Sequence, residues 1–405
     1  MSQSKRILVV GAGPVGAITG LRLAQLGLEV TLFDRLATAP ADHRAATLQP
    51  ASHDIFAKLG IIREIERQGL KAPEFQWRDR LSEEVIANFD YGVLADETEY
   101  PFAIQLEQHK TVNIALEEAL RYSNFEVVRP VEVIAVRQDE DSVHIDFHRQ
   151  DGSVETREGS YLVGCDGGRS LVRKTLGVTF DGFTWEFKNQ VITTDYDFQV
   201  AMNFKYRNYY IHPVRSCSVF KVPGENERGL WRCVFAVHPE ETDEQVMGDE
   251  WINARFQECL PIGAPYPILH RNLYGTQNRV AGKFYEGRVI LAGDAAHLNN
   301  PNGGVGMNSG FQDAMNIADK LKLIHEGAEA GPLLAKYDRQ RRLTTMEFVQ
   351  AQTIAGKKMM QETDLKRRNT LLNNMRSIVS DPVKHHDYLY KASLLAMQRK
   401  ADALT

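Results

Sequence analysis

Three glycine-bearing segments, widely spaced and in fixed order, constrain the fold of this chain most strongly: GAGPVG at 11–16, VGCDGGRSLVR at 163–173 and GRVILAGDAAHLNNPNGGVGMN at 287–308. The first follows the apolar run KRILVV, precedes apolar residues at helical spacing from Ala17 to Leu26, and gives way to strand character from Leu28 to Phe33. That order reads as a βαβ unit. Parallel strands need a crossover helix, so the glycine turn falls at the carboxyl end of the first strand, where doubly wound sheets bind ligands. Gly11 permits a tight turn, Gly13 lets the backbone approach a pyrophosphate, and Gly16 allows close helix–strand contact. Pro14 and Val15 open a helix whose unpaired N–H groups and positive dipole end face the phosphates. Asp34, followed by Arg35, closes the second strand at the spacing where an acidic side chain accepts from a ribose hydroxyl. These residues alone do not choose between FAD and NAD.

In the second segment SYLVGCDG reads as a buried strand ending in Asp166-Gly167. Taken by itself, Asp166 is equally suited to cap a helix starting near Ser170, a role worth about 0.5–2 kcal/mol. In the third, Arg288 to Leu291 supplies a strand that ends at Gly293-Asp294, and Pro301 to Asn308 forms a glycine-rich loop before a helix expected over Phe311–Leu323. Such a loop presents successive backbone N–H groups to a ligand.

Taken together, the three segments resemble the FAD-binding framework of the para-hydroxybenzoate hydroxylase family of flavoprotein monooxygenases. Gly293 to Ala314 fits the form GDAAHxxxPxGGxGMNxGxxDA that the aromatic-hydroxylase branch often shows, and MNSG at 307–310 differs from the NLG ending of the quinone-hydroxylase branch. The resemblance covers most of residues 1–345. It implies an FAD cradle made of Gly11, Gly13, Pro14, Val15, Gly16, Asp34, Arg35, Arg44, Gln105, Asp166, Gly167, Gly293, Asp294, Pro301, Gly304, Val305, Gly306, Met307 and Asn308. Within it Asp166 belongs to the DG motif tied to flavin binding and nicotinamide use, Asp294 accepts from the ribityl hydroxyls, and Arg44 and Gln105 are flavin contacts. On residues alone, Arg44 also reads as a surface side chain and Gln105 as a helix start.

The implied fold class is α/β: an FAD-binding Rossmann-like domain of the glutathione reductase type, with an inserted, mainly antiparallel β-sheet substrate domain and C-terminal helices. Residues 75–98 and 181–270 carry short aromatic and β-branched runs separated by polar turns, which fits the inserted sheet. The FAD-binding domain is accordingly expected over 1–74, 99–180 and 271–330, the substrate domain over 75–98 and 181–270, and a helical segment over 331–405, which is rich in Lys, Arg, Gln, Leu and Met. The chain of 405 residues has a net charge of −5, so no basic surplus exists for nucleic-acid binding by phosphate neutralisation. Its four cysteines form no metal-ligand spacing, no run of about 20 apolar residues spans a membrane, and a cytoplasmic location is expected.

The activity implied is hydroxylation of a phenolic or other hydroxylated aromatic ring, with NADPH or NADH as reductant, O2 as co-substrate and a flavin C4a-hydroperoxide as oxygen donor. Candidate residues in the substrate lobe and at its border are Tyr209, His212, Arg215 and Pro301. Tyr209 stands three residues before His212-Pro213, a spacing that resembles the family's tyrosine contact to the substrate phenol; it reads equally as an aromatic packed on a half-buried sheet. His212 and Trp231 read more readily as structural. RSCSVFKVP at 215–223 lacks the arginine and tyrosine pattern that holds a benzoate carboxylate, and Arg215 is the residue available to stand in for it. A flavin halogenase, a reductase and a non-catalytic redox-responsive flavin protein are alternatives, and a homodimer is allowed.

Overall fold

A computed structural model of the chain describes residues 6–41, 45–212, 216–225 and 228–405. The apolar strand Ile7–Val10 lies at the heart of a six-stranded sheet, flanked in parallel by Val30–Phe33 and Tyr161–Gly164. Phe125–Val128 extends one edge and Val289–Leu291 the other, both parallel, with a short antiparallel strand Tyr285–Glu286 outside. All four residues of Ile7–Val10 are buried, as a central strand covered on both faces requires. The helix Pro14–Gln25 covers one face and packs against the 20-residue helix Gly306–His325. A three-stranded antiparallel layer, Glu132–Gln138, Val143–His148 and Val154–Gly159, lends Val136, Ile145 and Phe147 to the same core.

The second large sheet has seven strands in the order His270–Tyr274, Lys188–Thr194, Leu230–Val237, Cys217–Val222, Arg207–Ile211, Glu74–Asp79 and Val85–Asp90. Every pairing is antiparallel except that between Arg207–Ile211 and Glu74–Asp79, which joins two remote stretches of chain. This sheet continues past residue 270, where its end is expected from sequence, because His270–Tyr274 pairs with Lys188–Thr194. Phe180–Thr184 in turn leaves it and pairs with Gln277–Ala281. Trp231 is buried among Ile192, Phe198 and Phe256 on one face of the sheet, the core position expected of it.

The segment after residue 330 is helical, and a π-helical turn at Thr345–Gln350 interrupts the run from Ala330 to Met360. Val349, Met359, Leu372, Leu389 and Leu395 from this segment share a core cluster with Phe75, Trp77, Phe89 and Val305. A buried pair between Arg368 and Asp79 fastens the helix Leu365–Ser380 to the seven-stranded sheet.

One core residue gives the fold a pH dependence. His53 is fully buried among the rings of Phe56, Tyr100 and Phe102, and desolvation lowers its pKa from 6.5 to about 3. The folded ring is therefore neutral over the range in which the unfolded ring takes up a proton, so stability is complete above pH 6.5 and falls as the pH drops toward 3. In urea titrations of the apoprotein, His53→Leu is expected to flatten the acid limb of unfolding free energy by about 1.4 kcal/mol per pH unit below pH ~6. An unchanged slope would show that His53 does not govern it.

Candidate active site

The three glycine segments converge at the carboxyl end of the six-stranded sheet. Gly13 is the N-cap of Pro14–Gln25, and no side chain satisfies the first N–H groups of that helix. A Cβ on Gly16 would sit 1.8 Å from the Gly11 carbonyl oxygen, so only glycine fits. A Cβ on Gly13 would meet no protein atom within 4 Å, which leaves this side of the turn open to a ligand. Asp34 accepts from the Ala12 N–H at 2.6 Å and the Leu36 N–H at 2.7 Å, one bond to each carboxylate oxygen. Each oxygen keeps capacity to accept a hydroxyl. Arg35 is exposed.

In the second segment the helix Leu171–Thr175 is capped by Ser170, not by Asp166. Asp166 instead supports the cap, accepting from Ser170 Oγ at 2.5 Å and from the Val172 N–H at 3.1 Å. Arg173, to which the sequence reading gives no role, donates to the carbonyls of Ala295 at 2.9 Å and Gly168 at 2.8 Å. It thereby ties the second segment to the third.

In the third segment Asp294 is exposed between buried Gly293 and Ala295. Gly303 and Gly304 both have positive φ, +82° and +64°, and lead through Val305 into the helix Gly306–His325. That helix begins at Gly306, five residues before the expected Phe311, and no side chain caps it. A second set of unsatisfied N–H groups, including those of Gly306 and Met307, thus opens near the first. The Asn308 side chain is committed within the protein: its Oδ1 accepts from Gln49 N and Ser52 Oγ, and its Nδ2 donates to the carbonyls of Thr47 and Gly304. Only its backbone remains for a ligand. Pro301 is exposed at the start of the loop, where its carbonyl accepts from the Gly304 N–H at 3.0 Å.

Gln105 ends the strand Ala103–Gln105 instead of starting a helix. Its Oε1 accepts from Thr47 Oγ1 at 3.1 Å, while its fully buried Nε2 has no partner. A buried donor left in this state is costly unless a ligand acceptor meets it. Open space at Gly13, two uncapped helix N-termini and the Gln105 amide therefore fit a bound dinucleotide carrying a carbonyl-rich ring. Arg44 lies outside the described residues. Among the described residues no cluster of His, Cys, Asp or Glu could hold a metal, and no helix is long and apolar enough to cross a membrane.

Beneath the third segment lies a buried ionic node. Asp313 Oδ2 accepts from the Gly293 N–H at 3.0 Å and meets His297 Nε2 at 2.7 Å, and its Oδ1 accepts from Arg341 Nε at 2.7 Å. Burial would raise this carboxyl, but the charges of His297 and Arg341 hold it below the usual range.

The seven-stranded sheet turns one face toward the loop at 301–305. Tyr209 lies opposite Ser218 on one neighbouring strand and Trp77 on the other, so the three share a face. Trp77 stacks on the Tyr209 ring at 4.6 Å. Ser218 Oγ lies 3.9 Å from Met360 Sδ, and Asn302 Nδ2 lies 3.8 Å from the same sulfur, which brings the sheet to the glycine loop. A polar chain runs parallel to this contact. Arg207 donates to Tyr209 Oη at 3.3 Å and to Tyr91 Oη at 2.6 Å. Tyr91 donates to Gln49 Oε1 at 3.1 Å, and Gln49 Nε2 donates to the Gly303 carbonyl at 2.7 Å. His212 follows Ile211, the last residue of the Tyr209 strand, and its backbone N–H and C=O both bond Ser216 Oγ at 3.1 Å. Arg215 lies outside the described residues.

Sequence reasoning finds Tyr209 but misses Trp77, Tyr91, Arg207, Ser218, Asn302 and Met360. For Arg207 a signal exists, since it stands two residues from Tyr209 and so shares its strand face. The others come from separate segments that only the fold brings together. Gly13→Ala tests the cradle: apoprotein stability is expected to change by about 1 kcal/mol or less, while flavin content of the purified protein falls sharply. Full flavin content in this variant would place the phosphates elsewhere.

The profile of the family described as FAD binding domain matches residues 4–352. Para-nitrophenol 4-monooxygenase of Pseudomonas sp. strain WBC-3 is 31% identical over 366 residues, 89% of this chain and 89% of that protein. 6-hydroxy-3-succinoylpyridine 3-monooxygenase of Pseudomonas putida strain DSM 28022 / S16 is 29% identical over 392 residues, covering 96% and 98%. The crystal structure of p-nitrophenol 4-monooxygenase from Pseudomonas putida DLL-E4 superposes with a TM-score of 0.90 at 29% identity, over 97% of this chain and 99% of that one. A similarity that runs through all three glycine segments and across both large sheets makes this chain a member of the FAD-binding flavoprotein aromatic hydroxylases, an FAD-dependent aromatic monooxygenase.

Proposed function

We propose that this enzyme uses NADH or NADPH and O2 to hydroxylate a ring that already bears a hydroxyl group, and that the ring binds between the Tyr209 face of the seven-stranded sheet and the loop at 301–305. The observation that carries this reading is the meeting of Ser218, the cross-strand neighbour of Tyr209, with Asn302 of the glycine loop at one Met360 sulfur. Substrate sheet and cofactor loop come together there. The three similar proteins named above carry a ring substrate in their names, a nitrophenol in two and a hydroxypyridine in the third, which supports the same class.

The six-stranded sheet and its helices form the FAD lobe in this reading, and the seven-stranded sheet forms the substrate lobe. The backbone from Gly11 to Gly16 and the N-terminus of Pro14–Gln25 would hold the pyrophosphate, Asp34 a ribose hydroxyl, Asp294 the ribityl chain, and Gln105 with the N–H groups after Val305 the ring system. Bound FAD supplies the redox chemistry, accepting electrons from the nicotinamide and passing them to oxygen. The protein's own residues do the rest. Tyr209 offers a phenolic proton at Oη to the hydroxyl of the ring, Trp77 and Phe75 fix the tyrosine by ring contacts, and the apolar cluster around Val305 keeps water out. Four free cysteines suit the cytoplasm, where reduced nicotinamide is available.

The test is a panel of phenols assayed for substrate-stimulated NADH and NADPH oxidation, with labelled O2 traced into product. Label in the product and stimulation by a phenol are the expected results; nicotinamide oxidation that yields only hydrogen peroxide across the panel would sink the reading. Tyr209→Phe is expected to lower kcat by about 100-fold with FAD content unchanged.

A further inference from the structure

Arg207 differs from three other buried arginines in what its guanidinium faces, and unlike Arg173, which bonds two backbone carbonyls, it bonds phenols on the Tyr209 face. Arg255, Arg341 and Arg368 each face a carboxylate, Glu241, Asp313 and Asp79 respectively. Arg207 is 5% exposed, yet its guanidinium bonds two neutral phenols, Tyr91 and Tyr209, and lies over the Phe75 ring at 5.0 Å. No carboxylate is within ion-pair distance of it among the described residues. A desolvated cation without a counter-charge is unfavourable and favours an anion brought in by a ligand.

The direction of the hydrogen bonds says where that anion would sit. Arg207 can only donate, so both phenol oxygens accept from it. Tyr91 passes its own proton to Gln49 Oε1, which is held in turn by the Gly303 contact of the same amide. Tyr209 has no acceptor for its proton among the described residues. Its O–H, polarised by the guanidinium behind it, therefore points its donor capacity at whatever occupies the face shared with Ser218 and Trp77. Tyr388 and His385 both pack on Phe89 beside this cluster; burial pushes the Tyr388 phenol up and the His385 ring down, so neither supplies a negative charge.

We infer that Arg207 is a specificity-determining positioning residue: through Tyr209 it selects the ionised, phenolate form of the ring substrate and supplies the one positive charge that balances it. This rests on the proposed placement of the ring against Tyr209. Arg207 touches no reacting atom itself. It sets the charge and the donor direction of the tyrosine that does, and the Tyr91–Gln49–Gly303 chain fixes it relative to the cofactor loop.

The experiment uses the FAD-loaded protein and 4-nitrophenol, whose own absorbance separates phenol from phenolate, with binding read across pH. Wild type is expected to hold the probe as phenolate, with its bound pKa lowered by about one unit or more, equivalent to about a tenfold preference for the anion. Arg207→Gln and Tyr209→Phe should each abolish that shift, and Arg207→Lys should restore most of it, with FAD content matched in all four proteins. A bound-probe pKa equal to that in water in the wild type overturns the inference, as does a shift retained in Arg207→Gln. If Arg207→Gln does not fold, Arg207→Met is titrated in its place, and a shift retained there overturns the inference in the same way. Turnover is a separate reading: phenolate selection without hydroxylation sinks the proposed function only, and hydroxylation without phenolate selection sinks this inference only.

Discussion

The Asp313 carboxylate is the interaction on which the arrangement of the site depends. It is 0% exposed, and such a charge is tolerated only when its oxygens are fully engaged by donors and opposite charge. Three partners from three places meet that requirement: the Gly293 N–H in the turn before Asp294, His297 at the start of a short strand, and Arg341 on the helix Ala330–Thr344. Arg341 also donates to Gln312 Oε1 and the Ser309 carbonyl on the helix that carries Asp313. The exposed Asp294 is therefore anchored from below by its neighbour's amide. Removal of one partner from such a node typically costs about 3–5 kcal/mol, so the turn, the long helix and the C-terminal segment hold their positions together.

How much of this could be read from the chain depends on whether backbone or side chains do the work. The cradle was legible because its constraints are steric and local: nothing but glycine fits beside the Gly11 carbonyl at position 16, and the paired positive φ values at 303 and 304 demand glycine as well. An ordered set of such positions points to one kind of site. Asn308 shows the limit even there. Its place in the motif suggested cofactor contact, whereas its side chain makes four bonds that fasten Thr47, Gln49 and Ser52 to the helix start.

The proposed substrate face was mostly illegible for a different reason. Alternation along a strand tells which residues share a face but not which strands are neighbours. The parallel pairing of Arg207–Ile211 with Glu74–Asp79 brings Trp77 beside Tyr209, and the short turn Tyr91–Leu94 after Val85–Asp90 brings Tyr91 to Arg207. No periodicity in either segment anticipates the other. Buried charges hid the rest, because Arg173 and Arg207 look like ordinary surface arginines until the fold encloses them.

The C-terminal helices close the argument about water. In the proposed placement of the ring, Tyr209 serves as a directed donor only if bulk water does not compete for its proton. Helix Ala351–Met360 packs where the sheet meets the glycine loop, with Gly356 near Asn302 and Met360 between Asn302 and Ser218. The π-helical turn just before it shifts the register of that helix, with the buried Val349 packed in the cluster that includes Val305. Because the preceding helix is pinned to Asp313 through Arg341, the same node that steadies the Asp294 turn also positions the helix that meets Asn302 and Ser218. One buried carboxylate thus links the glycine turn at 293 to the helices that pack on the seven-stranded sheet, which accounts for a C-terminal segment that is integrated into the core instead of appended to it.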